Sequence, residues 1–520
     1  MEDPSNLMMI SGVMVFSDPL DYERLRATIE DGLLPLDRFS QRVAQPKCAW
    51  RTPRWEDDPG LDLDYHLRRT TLPAPGDQAA LQELASELAS TQLDLTRPLW
   101  QFHLVEGYGE GSALICRLHH CIGDGIALVQ VLLSLTTTEP EAPRAGGEPE
   151  ATPEDGRRPG RRFGRRTRRL VRVGLRASGW LVRESMNSIA DPSRALDLAR
   201  VGPDGATALA RLVLRWPDPR TIFKGPLHVP KRAAWSDPIP LADVKKVGRR
   251  LGGTVNDVLL TAMTGSLRRY LLERDESADG LNIRAVIPVN LRPPSQEIGL
   301  GNRFGLVFLS LPVGIREPAC RLAELRRRMD SLKDSKEAPV AFGILNAIGL
   351  SPQTIQDIVV NIFGTKATAV MTNVMGPREQ LYLAGAPLEA LMFWVPQSGK
   401  LGMGVSILSY SGKVWMGVIT DEGLVPDPEA IIAGFHVEFD ELLQMAEEEA
   451  EVPSLAELSA RVDEALAALD AILEKRGERE AAPDAAIHDG CQAQTRAGKP
   501  CKNRALAGSR FCRVHQEPKD

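Results

Sequence analysis

Residues 112–135 read SALICRLHHCIGDGIALVQVLLSL, and the pattern changes character in the middle. SALICRLHH is a short β-type run. GIALVQVLLSL is an apolar run suited to a buried helix. At the junction stand His119 and His120, in a chain with only eight histidines. A strand sends successive side chains to opposite faces, so the two rings are poorly placed to share one metal. One is expected to face a cavity and the other the structural side. Asp124 stands at the start of the helix, where its carboxylate can cap orphaned backbone N–H groups, and Gly125 would let the backbone approach closely. The plain structural reading is a strand-to-helix turn with a core histidine. The functional reading is a general base, because imidazole has the ordinary pKa nearest neutrality and can take a proton from a hydroxyl at working pH.

Working outward, residues 1–136 alternate β-type and helical runs: LMMISGVMVF and QFHLVEGY as strands, DYERLRATIEDGLL as a helix. Residues 137–160 are rich in Pro, Gly, Glu and Ala, too poor in apolar surface to offset ordering entropy, and read as a disordered linker. Residues 161–225 carry dense arginine, including Arg165, Arg166, Arg168 and Arg169, with Phe163, Leu170, Val173, Ala177, Trp180 and Leu181 near one stripe. That is a basic amphipathic helix, which either lies on an anionic membrane surface or packs on its own protein. Residues 226–448 form a second α/β region: LADVKKVGRRLGG and TVNDVLLTAMTGSLRRYLLE as helices, then strands from NIRAVIPVNL to KVWMGVIT, and a closing helix. An amphipathic helix and linker fill 453–482, and 488–516 hold a small cysteine-rich module.

Composition narrows the function classes. Apolar residues make up 43% and charged residues 25%, as in ordinary soluble globular chains, and the net charge of −6 gives no overall pull toward nucleic acid or anionic membrane. The N-terminus lacks a basic signal-peptide region, and no apolar run reaches the roughly 18 residues of a spanning helix, so the expected compartment is the cytosol. The cysteines suggest no disulfide framework. A G-x-S-x-G elbow, an H-E-x-x-H helix and a phosphate loop are all missing. With no nucleophile beside the histidine, direct attack by a substrate hydroxyl is favoured over a covalent acyl-enzyme.

Two further patterns carry chemistry. Thr254-x-x-Asp257 is a helix-capping pattern. In the tail, Cys491, Cys501, Cys512 and His515 follow C-x9-C-x10-C-x2-H spacing. Three thiolates and one imidazole suit tetrahedral Zn(II), which would supply the folding energy of so small a unit. The alternative is a disordered tail with free thiols.

Six segments in this order resemble one family: LDLTRPLW (93–100), HHCIGDG (119–125), GGTVNDVLL (252–260), PVNLRP (288–293), GNRFG (301–305) and TNVMGP (372–377). The chain is similar, over about residues 5–445, to the bacterial wax ester synthase/acyl-CoA:diacylglycerol acyltransferases of the chloramphenicol acetyltransferase and condensation-domain superfamily. The resemblance implies an α/β fold of two chloramphenicol-acetyltransferase-like lobes with mixed sheets and a channel between them. It also implies transfer of a long-chain acyl group from acyl-CoA to the hydroxyl of diacylglycerol or a long-chain alcohol, with no catalytic cofactor. His120 would be the base, with His119 as a packed support. Asp124 would brace the turn by pairing with an arginine, for which Arg292 is the candidate. Asn256 and Asp257 would line or support the channel, and Asn256 could donate to the oxyanion. Peripheral association with the inner membrane face or lipid droplets is expected. A carrier-protein thioester donor, another acceptor alcohol, or a non-catalytic lipid-droplet role are the alternatives.

The chain departs from the family in two places. Family members usually begin with an LSxxDxxFL-like segment, whereas this sequence starts almost at NLMMISGVMVF, which puts one wall of the acyl channel, or the assigned start, in question. The tail is the second departure; it resembles short Cys3His modules appended to various bacterial proteins.

Overall fold

A computed structural model describes residues 3–44, 53–140, 215–291, 304–333, 340–341, 361, 364–397, 399–451, 462–472, 490–506 and 509–515. The chain divides into two units, Met1–Glu449 and Ala450–Asp520. The linker expected at 137–160 lies outside the described residues from 141 onward, as does most of the basic helix expected at 161–225.

The first half of the larger unit runs β1 (Met9–Phe16), α1 (Tyr22–Gly32), α2 (Asp37–Ser40), β2 (Gln41–Ala44), β3 (Arg54–Asp57), α3 (Leu63–His66), β4 (Leu67–Thr71), α4 (Gln78–Ser90), β5 (Trp100–Tyr108), β6 (Gly111–His119) and α5 (Gly125–Ser134). The second half runs β7 (Lys231–Trp235), β8 (Ile239–Pro240), α6 (Leu241–Leu251), α7 (Val255–Leu272), β9 (Ile283–Asn290), β10 (Phe304–Leu311), α8 (Pro318–Lys333), β11 (Ala369–Met375), β12 (Tyr382–Leu383), β13 (Ala386–Trp394), β14 (Met403–Tyr410), β15 (Lys413–Asp421) and α9 (Pro428–Glu451).

Two mixed sheets result. The first has the order β12-β13-β1-β6-β5-β4, the second β10-β9-β11-β14-β15-β7 with β8 beside β15. β4–β5, β9–β11 and β11–β14 are parallel, and the other sheet neighbours are antiparallel. β13 belongs to the second half of the chain yet pairs with β1, Gly12 opposite Phe393. Its alternation marks it as a strand, but period alone does not say which sheet a strand joins.

Each sheet has its own core. One gathers Val13, Ile115, Leu118 and Trp100 with Trp235, Phe308 and Trp394, so it extends into the space between the sheets. The other packs Val307, Leu309 and Ile407 against Leu259, Leu325 and Phe435 of the helices. The sheets meet closely at Gly417 of β15, where a Cβ would fall 2.6 Å from Met392 Sδ and 2.9 Å from Trp394 Nε1. Only glycine leaves room for β13 there.

Candidate functional site

β6 ends in the paired histidines, and backbone hydrogen bonds fix both. The His119 N–H donates to Leu99 O at 2.9 Å, and the His120 N–H donates to Met8 O at 2.8 Å. The neighbouring residues are thus tied to strands on opposite sides. The His119 ring folds back on its own turn, its Nδ1 accepting from the Cys121 N–H at 3.2 Å. An accepting Nδ1 leaves the ring proton on Nε2. The His120 ring, half-buried, lies 5.7 Å from the ring of Phe304, the first residue of β10 in the second sheet. Side chains from both sheets therefore meet at His120.

Asp124 is buried at 4% exposure and caps α5, its carboxylate accepting from the Ala127 N–H at 2.9 Å. The cap holds the start of a helix whose Leu128, Val129 and Leu132 are packed into the first core. Gly125 is not required by space: a Cβ there would meet Val395 Cγ1 at 3.5 Å, an ordinary contact. It is the first residue of the helix and has ordinary helical room around it. Arg292, the candidate partner of Asp124, lies outside the described residues.

The helix α7 starts with a capping box. Thr254 Oγ1 accepts from the Asp257 N–H at 3.2 Å, while Asp257 Oδ2 accepts from the Thr254 N–H at 2.9 Å and from its hydroxyl at 2.7 Å. The bland reading of Thr254-x-x-Asp257 is thus present as geometry. Asp257 Oδ1 is buried and without a hydrogen-bond partner among the described residues. Asn256 Oδ1 accepts from Asn373 Nδ2 at 2.8 Å, which joins GGTVNDVLL to TNVMGP and leaves the Asn256 amide nitrogen as its donor end.

Topology brings these segments to one end of the second sheet. Phe304 opens β10 opposite Asn290, the last residue of β9. β11 runs parallel to β9, so Asn373 lies toward the same end. Phe304 and Asn373 were not singled out from the sequence, although both sit in segments that were, GNRFG and TNVMGP. A cavity is lined by Met9, Ser11, Lys231, Trp394, Gln397 and Ile419, drawn from both sheets and the loop after β13; through the sheet register Ile419 stands level with Val286, four residues along β9 from Asn290.

In the smaller unit, Cys491, Cys501, Cys512 and His515 present ligand atoms all within 4.8 Å of one another. Cys501 Sγ lies 3.8 Å from Cys512 Sγ, Cys491 Sγ 3.7 Å from His515 Nδ1, and Cys512 Sγ 3.2 Å from His515 Nδ1. A tetrahedron with metal–sulfur bonds of about 2.3 Å has sulfur–sulfur edges of roughly 3.8 Å, so the donor set fits a four-coordinate ion. Desolvation raises the Cys512 thiol pKa, but hydrogen bonds from the Val514 backbone and the His515 side chain outweigh it and bring it to about 6. The strand-like bridges Gly490–Arg504 and Gln494–Pro500 hold the loops that carry the cysteines.

Comparison with known proteins agrees with this architecture. Residues 1–259 match the family model of the wax ester synthase/diacylglycerol acyltransferase catalytic domain, and residues 300–443 match the C-terminal domain of the same family. A Mycobacterium tuberculosis H37Rv protein that carries the name diacyglycerol O-acyltransferase is 28% identical over 433 residues, covering 82% of this chain and 89% of the relative. Another of that name, from strain CDC 1551 / Oshkosh, is 27% identical over 450 residues, covering 83% and 84%. The fold is similar to that of the wax ester synthase/diacylglycerol acyltransferase from Marinobacter aquaeolei VT8, at a TM-score of 0.61 and 22% identity over 86% of this chain and 97% of that one. It is also similar to the starter condensation domain of rhizomide synthetase, at a TM-score of 0.52 and 12% identity over 86% and 90%. With two domains of one family matched in order across most of its length, the chain belongs to the wax ester synthase/diacylglycerol acyltransferase family and is an acyltransferase.

Proposed function

We propose that the chain moves a long-chain acyl group from acyl-CoA to the hydroxyl of diacylglycerol or a long-chain alcohol, with His120 as general base. The observation that supports this most directly is the His120 ring against Phe304, a histidine from one sheet facing an aromatic ring from the other. The acceptor hydroxyl gives its proton to an imidazole nitrogen of His120 as its oxygen attacks the thioester carbonyl. The tetrahedral intermediate then collapses, the carbon–sulfur bond breaks, and the imidazolium returns the proton to the departing CoA thiolate. Asn256, its amide oxygen occupied by Asn373, turns its nitrogen into a donor for the developing oxyanion. Asp124 holds the turn rather than the proton, through the cap on α5.

Both acceptors are lipids, so contact with an anionic membrane or lipid-droplet surface through the arginine-rich stretch 161–225 belongs to the same reading. No helix among the described residues is long and apolar enough to cross a membrane. The tail tetrad holds structural zinc, whose chemistry is to fold the module and not to take part in transfer.

The test is acyl transfer from labelled palmitoyl-CoA to diacylglycerol and to hexadecanol in parallel, with His120→Ala alongside. Loss of a proton-transfer group is expected to lower the rate by roughly 10²- to 10⁴-fold with the fold retained. A fully active His120→Ala enzyme would sink the mechanism.

A further inference from the structure

Every lysine and arginine of the tail module is turned to solvent. Arg496, Lys499, Lys502, Arg504, Arg510 and Arg513 are all exposed, and residues 490–515 hold no Asp or Glu. Cys491, Cys501 and Cys512 take the interior, while the residues that follow them, Gln492, Lys502 and Arg513, face out. Backbone hydrogen bonds fix where the charges stand. The Thr495 N–H donates to Lys499 O at 2.7 Å, and the Gly498 N–H, at a φ of 73°, donates to Thr495 O at 2.8 Å. Arg496 and Lys499 therefore sit on one tight turn, with glycine at the position that needs a positive φ. The Cys491 N–H donates to Asn503 O at 2.9 Å and the Gln492 N–H to Arg510 O at 3.0 Å, so the segments with Lys502, Arg504 and Arg510 run beside one strand-like stretch.

With no carboxylate in the stretch, these cations have no counter-ion within the module. Three thiolates on a divalent ion leave a single negative charge at its centre, so the module stays strongly positive, in a chain whose net charge is −6. A positive surface this dense attracts an anionic one. Two aliphatic side chains are bare on the same module, Val514 at 76% exposure, next to Arg513, and Leu506 at 36%. Its phenylalanine, Phe511, is half-buried against the cysteines, and it has no Tyr or Trp to stack on a base, as single-stranded nucleic acid would want. Cations mixed with bare aliphatics match the boundary of an anionic lipid surface, where phosphates meet the charges and the acyl edge takes the apolar groups.

We propose that the tail module docks the protein on an anionic phospholipid surface. Its lysines and arginines meet the headgroup phosphates, and Val514 and Leu506 enter the headgroup layer. This is a second contact, built from other residues than the arginine-rich stretch 161–225, and it needs no part of the transfer site. It requires the module folded as described, the state that zinc is proposed to secure.

The test is co-sedimentation of the full zinc-loaded chain with vesicles of phosphatidylcholine alone and of phosphatidylcholine/phosphatidylserine, at low salt. It is run with Arg165, Arg166, Arg168 and Arg169 all replaced by Gln, so that the other basic stretch does not mask the tail. One cation at an anionic surface is worth roughly fivefold in binding. The triple change Arg496→Gln, Lys499→Gln and Arg504→Gln should therefore weaken binding to the mixed vesicles roughly 100-fold, with zinc content unchanged. Val514→Ser should weaken it a few-fold. Should the triple variant lose its metal, Arg496→Gln alone, five residues from the nearest ligand, is read instead for its fivefold loss. Unchanged binding in a zinc-loaded variant overturns the proposal, as does equal binding of the tail-intact chain to both vesicle types. If the tail change abolishes binding of a DNA duplex and spares the vesicles, the module serves nucleic acid and the proposal falls. Metal analysis of the same samples keeps the readings apart. A chain without zinc whose vesicle binding still depends on Arg496, Lys499 and Arg504 would remove the zinc reading and leave the docking surface standing. A zinc-loaded chain whose binding ignores them would remove the docking surface alone.

Discussion

The two units of the chain bury different chemistry. Met1–Glu449 buries two large apolar cores, in which Trp100, Phe102, Phe435 and Leu442 lose almost all contact with water. Among the described residues of the smaller unit, the buried hydrophobic cluster is Cys491, Cys501 and Cys512, with Ala493 and Phe511 against them. Three thiols cannot supply a hydrophobic core, whereas the same thiolates on a metal can supply folding energy outright. The larger unit thus folds on apolar burial, and coordination is what we propose takes its place in the smaller one.

The proposed zinc site tests that contrast where the expected effect is largest. Titrating the full chain with a strong zinc chelator, or replacing Cys512 with Ser, is expected to unfold 490–515 completely and leave the melting transition of the larger unit in place. Zinc content by metal analysis and NMR signals of the tail read the first effect, calorimetry the second. A tail that stays ordered without metal would break the comparison.

Next in size is a core truncation. The Trp100 ring stacks on His66 at 4.5 Å and its Nε1 donates to Phe39 O at 2.8 Å, at 0% exposure. Trp100→Ala removes that packing and orphans the Phe39 carbonyl, so the larger unit should lose about 3–5 kcal/mol in urea unfolding. Zinc retention by the tail should not change. A loss under 1 kcal/mol would mean that the first core is far less tightly packed than its burial implies.

How much of this was legible in the sequence also differs between the units. In the tail, the four residues singled out by type and spacing lie together, because a close C-x2-H pair is a local fact. In the larger unit the strand-to-helix turn at His120–Asp124 and the capping box at Thr254–Asp257 were legible for the same reason, since a cap is a bond between residues three apart. What was hidden is long-range. LEALMFWVP reads as a strand but carries no local mark of joining β1. Asn256 and Asn373 are 117 residues apart, and nothing in either segment names the other. The room at Gly125 depends on where Val395 lies, which only the assembled fold decides.

Acid offers the smallest and most selective probe of the larger unit. His103 on β5 is buried, with Nε2 at 3.1 Å from Gln101 Oε1, which also accepts from Arg117 at 2.8 Å. Burial, then the charges of Arg117 and Arg68, hold its pKa down to about 4. An unfolded chain protonates histidine near 6.5, so below that pH the unfolded state takes up a proton that the native state refuses. Stability from this group is therefore full above pH 6.5 and falls as the pH drops toward 4, by about 2 kcal/mol at pH 5. Urea unfolding of the larger unit at pH 7 and pH 5 should show that loss, and His103→Gln, which keeps a polar side chain without a titrating ring, should remove most of it. Equal pH slopes for the two proteins would assign acid sensitivity to other groups. Zinc content measured on the same samples separates this proton from any effect on the tail, because His103→Gln should leave the pH of metal loss where it was.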